Sequence, residues 1–144
     1  MRSDILNVNS QQTGNYKKKT LLVNADITLT EADSGKVMFL DAAAGTVAVT
    51  LPTASTGEDG IFYQFIVWEE TPSNAITIGA GSAIVSLVMK DAGGNASNST
   101  VGTQVSNLVI GTSAQRGDYI NMTFFGGEWT ADCLSGIDDA VTTS

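Results

Sequence analysis

Histidine is absent from this chain of 144 residues, and cysteine occurs once, at Cys133. Without an imidazole the commonest general base is missing, and with it His-based triads and the usual zinc and copper sites. One cysteine allows neither an intrachain disulfide nor a thiolate cluster, which excludes a disulfide-stapled secreted mini-domain. Proline occurs only at Pro52 and Pro72, and charged residues make up 15%, against roughly 25% in an average soluble domain. A disordered chain would carry more proline and charge and fewer apolar residues. Long stretches of good helix formers are also lacking, so helix is at most a minor component. The opening MRSDILNVNS has no apolar core followed by a small-residue cleavage site, and no run approaches the length that spans a bilayer. A protein made in a cytoplasm, with no membrane partner, is expected.

What is present is 42% hydrophobic residues, enough for one core, together with abundant Ser, Thr, Asn and Gly. That mixture suits strands joined by many turns. Charge is distributed unevenly. Four of the seven basic residues, Arg2, Lys17, Lys18 and Lys19, fall in the first nineteen positions, opposed there by Asp4 alone. The rest carries Lys36, Lys90 and Arg116 against 14 acids, a net charge of −11. A body of that sign repels phosphate backbones, so nucleic acid is not an expected partner.

Residues 1–19 read as a polar arm in which Ile5, Leu6, Val8 and Tyr16 could dock on a neighbour. It is either a loose terminus or an arm that orders on a partner. From Thr20 to Gly136 short apolar runs alternate with turn signals. Strands are expected over Thr20–Asn24, Ile27–Leu29, Lys36–Asp41, Thr46–Leu51, Ile61–Trp68, Ala75–Gly79, Ala83–Lys90, Val105–Ile110, Asp118–Phe125 and Glu128–Leu134. In Thr46–Leu51 the residues Val47, Val49 and Leu51 share one face, the period-two signature of a half-buried strand. Ile61–Trp68 is apolar on both faces, with Phe62, Ile66 and Trp68 on one and Phe65 on the other. It therefore needs cover on both sides, from a second sheet or another subunit. Asp91–Thr103 contains almost nothing to bury and reads as a long exposed loop, and 137–144 as a polar acidic tail. The expected fold is all-β, a compact β-sandwich, jelly roll or small barrel with an extended N-terminal arm. No internal repeat is visible, which argues against a β-helix or a propeller.

Candidate chemistry is sparse. The carboxylate pairs Glu58-Asp59, Glu69-Glu70 and Asp138-Asp139 fall in turns or the tail, where neighbouring acids point to solvent rather than at a shared substrate. Gly79-Ala80-Gly81 lacks the third glycine, the lysine and the helix of a phosphate loop and reads as a turn. Asp91, Asn95 and Asn98 do not match a helix-flanked calcium loop. Three glycosylation sequons, at Asn95, Asn98 and Asn121, are expected by chance in so Ser-, Thr- and Asn-rich a chain. Cys133, next to Leu134, reads as a buried structural thiol. No catalytic residue, cofactor or metal is expected.

The order of these elements resembles a module that recurs in bacteriophage virion proteins. The stretch ITLTEADSG, then KVMFLDAAAGTVAVTLPTASTGEDGIFYQFIVW, then NAITIGAG and the terminal FFGGEWTADCLSG carry the resemblance, over roughly Asp26 to Gly136. Proteins of this look include head decoration (cement) proteins and domains of tail fibres and spikes, commonly trimeric β-structures. A single such domain with a short arm is more similar to a decoration protein than to a fibre. The resemblance implies a homotrimer bound to the major capsid protein on the outside of the virion. Its arm, through Arg2, Ile5, Leu6, Tyr16, Lys17, Lys18 and Lys19, would grip the shell, and Phe62, Phe65, Ile66 and Trp68 would form the subunit interface. The alternative is a receptor- or glycan-binding tip that uses Asp91–Thr103 with Trp68 or Trp129. A carboxylate-based glycan hydrolase is the third reading.

Overall fold

The computed structural model describes residues 17–53, 59–90, 105–137 and 139–144, with Ile84 the one side chain described within 81–90. It contains ten strands: β1 (Thr20–Val23), β2 (Ile27–Thr28), β3 (Val37–Leu40), β4 (Val47–Leu51), β5 (Phe62–Val67), β6 (Ile76–Lys90), β7 (Val105–Ile110), β8 (Tyr119–Phe125), β9 (Glu128–Leu134) and β10 (Val141–Thr143). One 3-10 turn, Glu31–Asp33, interrupts them, and the described residues contain no α-helix. The all-β expectation holds, as two mixed five-stranded sheets packed together in a sandwich rather than a closed barrel.

One sheet runs β1-β3-β5-β8-β9 and the other β2-β4-β6-β7-β10. Strand β6 joins them. Its first part, Ile76–Ala80, pairs with β4 and β7, and from Ile84 onward it runs parallel to β9. From β1 to β6 the chain alternates between the two sheets, so that β1, β3 and β5 are parallel neighbours in one and β2, β4 and β6 in the other. A parallel pair needs a long crossover. Here a strand of the opposite sheet supplies it. The result is a three-turn, solenoid-like winding without the sequence repeat that such winding suggests. Period-two alternation is all each turn needs, and the residues filling it can differ.

The two sheets meet through one face of each strand. In β4 the pattern buries Val47, Val49 and Leu51, and in β5 it buries Tyr63, Phe65 and Val67 along with Ile61 before it. Trp129 of β9 stacks on Tyr63 with centroids 5.7 Å apart and meets Phe124 of β8 at 5.2 Å. Phe124 and Trp129 are direct cross-strand partners. They are brought together by Gly126 and Gly127, whose φ of 63° and 92° make the left-handed two-residue turn that suits a hairpin. Across the gap, Ile76, Ile78, Leu108 and Ile110 complete the core.

Two segments depart from expectation. Gly79-Ala80-Gly81 is not a turn but lies inside β6, where the register with β7 shifts between Gly79 and Ile84. A Cβ at Gly79 would lie 2.7 Å from the side-chain oxygen of Asn107, so a larger residue there would have to displace that side chain. Residues 137–144 are not a loose tail. Val141 is buried, β10 pairs with β7 in antiparallel register, and Ser144 and Asn107 exchange both backbone hydrogen bonds. Thr-rich sequence at the rim of a sheet is polar outward and still pairs.

Removal of residues 137–144 should therefore cost about 3 kcal/mol or more, from lost apolar burial and ladder hydrogen bonds. Urea unfolding checks this, and an unchanged midpoint would mean the segment is a tail after all. The Tyr63 hydroxyl donates to the Thr30 carbonyl at 2.7 Å, and burial, reinforced by Asp33 and Glu31, pushes its pKa from 10.0 up to about 12. The fold favours the neutral phenol. Its contribution is thus intact below pH about 10 and is lost between about 10 and about 12. Stability measured across that window should fall less steeply in Tyr63→Phe than in the parent chain.

Candidate functional site: an apolar outer face

Period-two alternation that buries one face of a strand fixes what the other face presents. On the β1-β3-β5-β8-β9 sheet the outward residues align by register into a row, Leu22, Phe39, Ile66, Tyr119 and Leu134, one from each strand. Leu22 at 53% and Leu134 at 43% are exposed, while the three between them are half-buried. Trp68, 48% exposed, lies just past the end of β5 and meets Phe39 edge-on at 5.4 Å. Thr20, Leu22, Phe39 and Trp68 line a shallow groove of about 330 Å³. Arg116 packs over the Trp68 ring at 5.2 Å, and its Nε donates to the Trp68 carbonyl at 2.7 Å. This cation–π stack and hydrogen bond hold the indole in place at the surface. Scattered single hydrophobics on a surface are ordinary, and a contiguous row across five strands makes this face the candidate for a contact surface.

Charge brackets the row. At the β1 end Lys18 reaches over the sheet, with its Nζ 3.5 Å from Gln64 Oε1 of β5. Beside it Lys17, Lys18, Lys19 and Lys36 line a hollow of about 260 Å³ with Ser34 and Gly35. Lys36 pairs with Asp33 at 2.5 Å. That bond, with the Thr30 amide, holds the Asp33 carboxyl below its ordinary range. At the opposite end β9 turns Glu128 and Asp132 outward. The next register row, Thr20, Val37, Gln64, Asn121 and Asp132, runs parallel to the first and ends on that acid, with Val37 buried within it.

The structure sorts the residues singled out in the sequence. Phe62, Ile66 and Trp68 are on the outer face, as an interface requires. Phe65 is not: it is fully buried between the sheets, because it alternates with them along β5, and that assignment is corrected. Trp129 is likewise fully buried and is not a ligand platform. Lys17, Lys18 and Lys19 are exposed at the start of β1, while Arg2, Ile5, Leu6, Tyr16 and the loop 91–103 lie outside the described residues. Leu22, Phe39, Tyr119 and Leu134 were missed as surface residues. Each sits in an ordinary alternating strand, and only the pairing of distant strands sets them side by side.

No group of three or more metal-ligating side chains occurs among the described residues. Asp59 accepts a hydrogen bond from the Gly126 amide at 2.8 Å, and Glu69 from the Ser73 amide at 3.1 Å. Asp118 is the one buried acid among the described residues. It accepts from the Gln115 amide, the Ser135 hydroxyl and the Gly136 amide at 2.8–3.1 Å, fastening the turn before β8 to the end of β9. These acids act as turn fasteners. No protein-family model matches the sequence, and no curated protein is significantly similar to it.

Asp118→Ala leaves the Gln115 and Gly136 amides without their acceptor and should destabilise the fold by about 2–4 kcal/mol, measured by denaturant unfolding. Cys133 is buried, and desolvation, then Asp132, pushes its thiol up to about 12. The thiolate is the reactive form, so the native protein should resist a thiol-specific disulfide reagent at pH 8 and react at once in urea. Rapid reaction in the native state would mean an accessible thiol.

Proposed function

We propose that this chain is a structural virion protein of the phage decoration type, which binds the outside of a capsid, associates with itself and stabilises contacts between capsomers. The single observation that carries the reading is the apolar row across the outer face of the β1-β3-β5-β8-β9 sheet, with Trp68 fixed beside it. A face of that kind calls for protein cover. The resemblance of the order of sequence elements to phage virion modules supports the same reading, as does the lysine cluster where the arm joins an otherwise acidic body. Binding acts by mass action: a protein that attaches only to the assembled shell stabilises it by its own binding free energy. The chain does this without catalysis, a cofactor or a metal, and its partners are further copies of itself and the major capsid protein.

The test is the location of the chain in a density map of the purified particle. Density on the outer shell at capsomer junctions supports the reading, and density at the tail overturns it. In parallel, removal of residues 1–18 keeps the Lys19 carbonyl that accepts from the Val37 amide, so the domain should fold. Co-sedimentation with particles should nonetheless be lost if the arm grips the shell.

Exposed Trp68, with the groove it forms with Phe39 and Leu22, favours a second reading, a glycan-binding tip of a tail fibre. Sugars stack on aromatic faces. Binding on a glycan array that disappears in Trp68→Ala would select this reading.

A further inference from the structure

We propose that β1 is a receiving edge: an extended, acidic segment of a partner protein adds to it as a further strand of the β1-β3-β5-β8-β9 sheet, with its carboxylates against Lys17 and Lys19. Such pairing goes beyond the virion reading and does not depend on it.

Among the described residues β1 pairs on one side only, with β3. In that parallel ladder the Val37 amide donates to the Lys19 carbonyl and the Asp41 amide to the Val23 carbonyl, both at 2.9 Å. In a parallel pair the residues that bond to the neighbour alternate with residues that do not. Positions 19, 21 and 23 therefore serve β3. Thr20 and Leu22 turn their backbone N–H and C=O groups to the other side, the open edge of the sheet. Two donors and two acceptors at strand spacing form a template for strand addition. Both residues are exposed. A strand laid beside them would also give Leu22, 53% exposed, a cross-strand neighbour. At the far side of the same sheet β9 is closed by β6, and the edge strands of the second sheet, β2 and β10, are only two and three residues long.

Charge selects the kind of strand. Lys17, Lys18 and Lys19 lead directly into β1 and, with Lys36, line the hollow of about 260 Å³ where β1 and β3 begin. Four of the chain's seven basic residues thus gather at one end of this edge. Lys18 reaches across the sheet to Gln64, and Lys36 pairs with Asp33. Lys17 and Lys19 are exposed. Lysine on an edge discourages unselective pairing, and here it favours a strand that carries acids. A second copy of β1, TLLV, brings no acid to these lysines. A nucleic-acid backbone has no alternating donors and acceptors to match the edge, and it would continue over a body with 14 acids. A peptide meets both requirements: its backbone fills the edge, and its carboxylates answer the lysines.

The test is amide exchange, followed residue by residue by NMR in the full-length protein, with the capped peptide EETVTVEE as probe. Its acids stand at both ends, so either strand direction sets carboxylates beside the lysines, and its centre favours strand. The Thr20 and Leu22 amides should exchange rapidly in the free protein and become at least tenfold protected with the peptide at about 1 mM. Lys17→Glu combined with Lys19→Glu should weaken binding at least tenfold, and this variant should bind the charge-reversed peptide KKTVTVKK better than the parent does. Lys19 holds β3 through its backbone carbonyl, which the substitution retains. N-methylation of the central amides of EETVTVEE keeps its charge and should abolish binding. Slow exchange at Thr20 and Leu22 in the free protein would overturn the proposal, because another part of the chain or a second copy would already hold the edge. So would a peptide that leaves these amides unprotected, a charge reversal without effect, equal binding of the N-methylated peptide, or equal protection by pyrophosphate or a short oligothymidylate. None of those outcomes bears on whether the protein is found on a capsid.

Discussion

Trp129, Tyr63 and Phe124 meet at centroid distances of 5.2–5.7 Å between the sheets, and the register of β5, β8 and β9 depends on their staying there. Each ring is fully buried. Moving any of these strands by one residue would turn its aromatic outward and bring an outward-facing neighbour in, because the side-chain period is two. Gly126 and Gly127 lock Phe124 opposite Trp129. Tyr63 adds a polar tether, its hydroxyl on the Thr30 carbonyl, so the core also fastens the turn between β2 and β3. Aromatic burial of this kind is the largest apolar contribution a small domain has.

That constraint has a consequence on the far side of the sheet. Once Tyr63, Phe65 and Val67 face inward, Phe62, Gln64, Ile66 and Trp68 must face outward, whatever their chemistry. In most half-exposed strands the outward set is polar. Here much of it is apolar, and its neighbours Leu22, Phe39, Tyr119 and Leu134 extend it across all five strands. The doubly apolar β5 is thus covered on one face by the opposite sheet, while its other face lies on the outside of the domain. Arg116 and Phe39 hold Trp68 in place, which lowers the entropic cost of using it in a contact.

The winding that builds the sheets also sets the charges. Lys17, Lys18 and Lys19 are sequence neighbours, but Lys36 joins them because β1 and β3 are parallel partners, with the Val37 amide on the Lys19 carbonyl. The acids Glu128 and Asp132 stand at the opposite end of the sheet because β8 and β9 enter it last. A chain with a net charge of −8 therefore gathers four lysines beside β1 and β3, with Lys18 reaching across to Gln64 of β5, and places two acids on β9.

Local patterning in the sequence determined much: the all-β class, nearly every strand, the glycine hairpin at 126–127 and the burial of Cys133. Alternation and turn chemistry are properties of a few consecutive residues, so they can be read without a partner strand. The need for cover on both sides of Ile61–Trp68 was legible for the same reason. Tertiary structure alone decided which face of β5 is inside, and so that Phe65 belongs to the core while Ile66 and Trp68 do not. It also decided that Gly79–Gly81 continues a strand and that Val141–Thr143 closes a sheet, since both depend on β7 as a distant neighbour. The outer row of Leu22, Phe39, Ile66, Tyr119 and Leu134 spans residues 22 to 134, and no periodicity along the chain connects them. Strand pairing does, because hydrogen-bonded register brings side chains about 5 Å apart however far apart they lie in sequence.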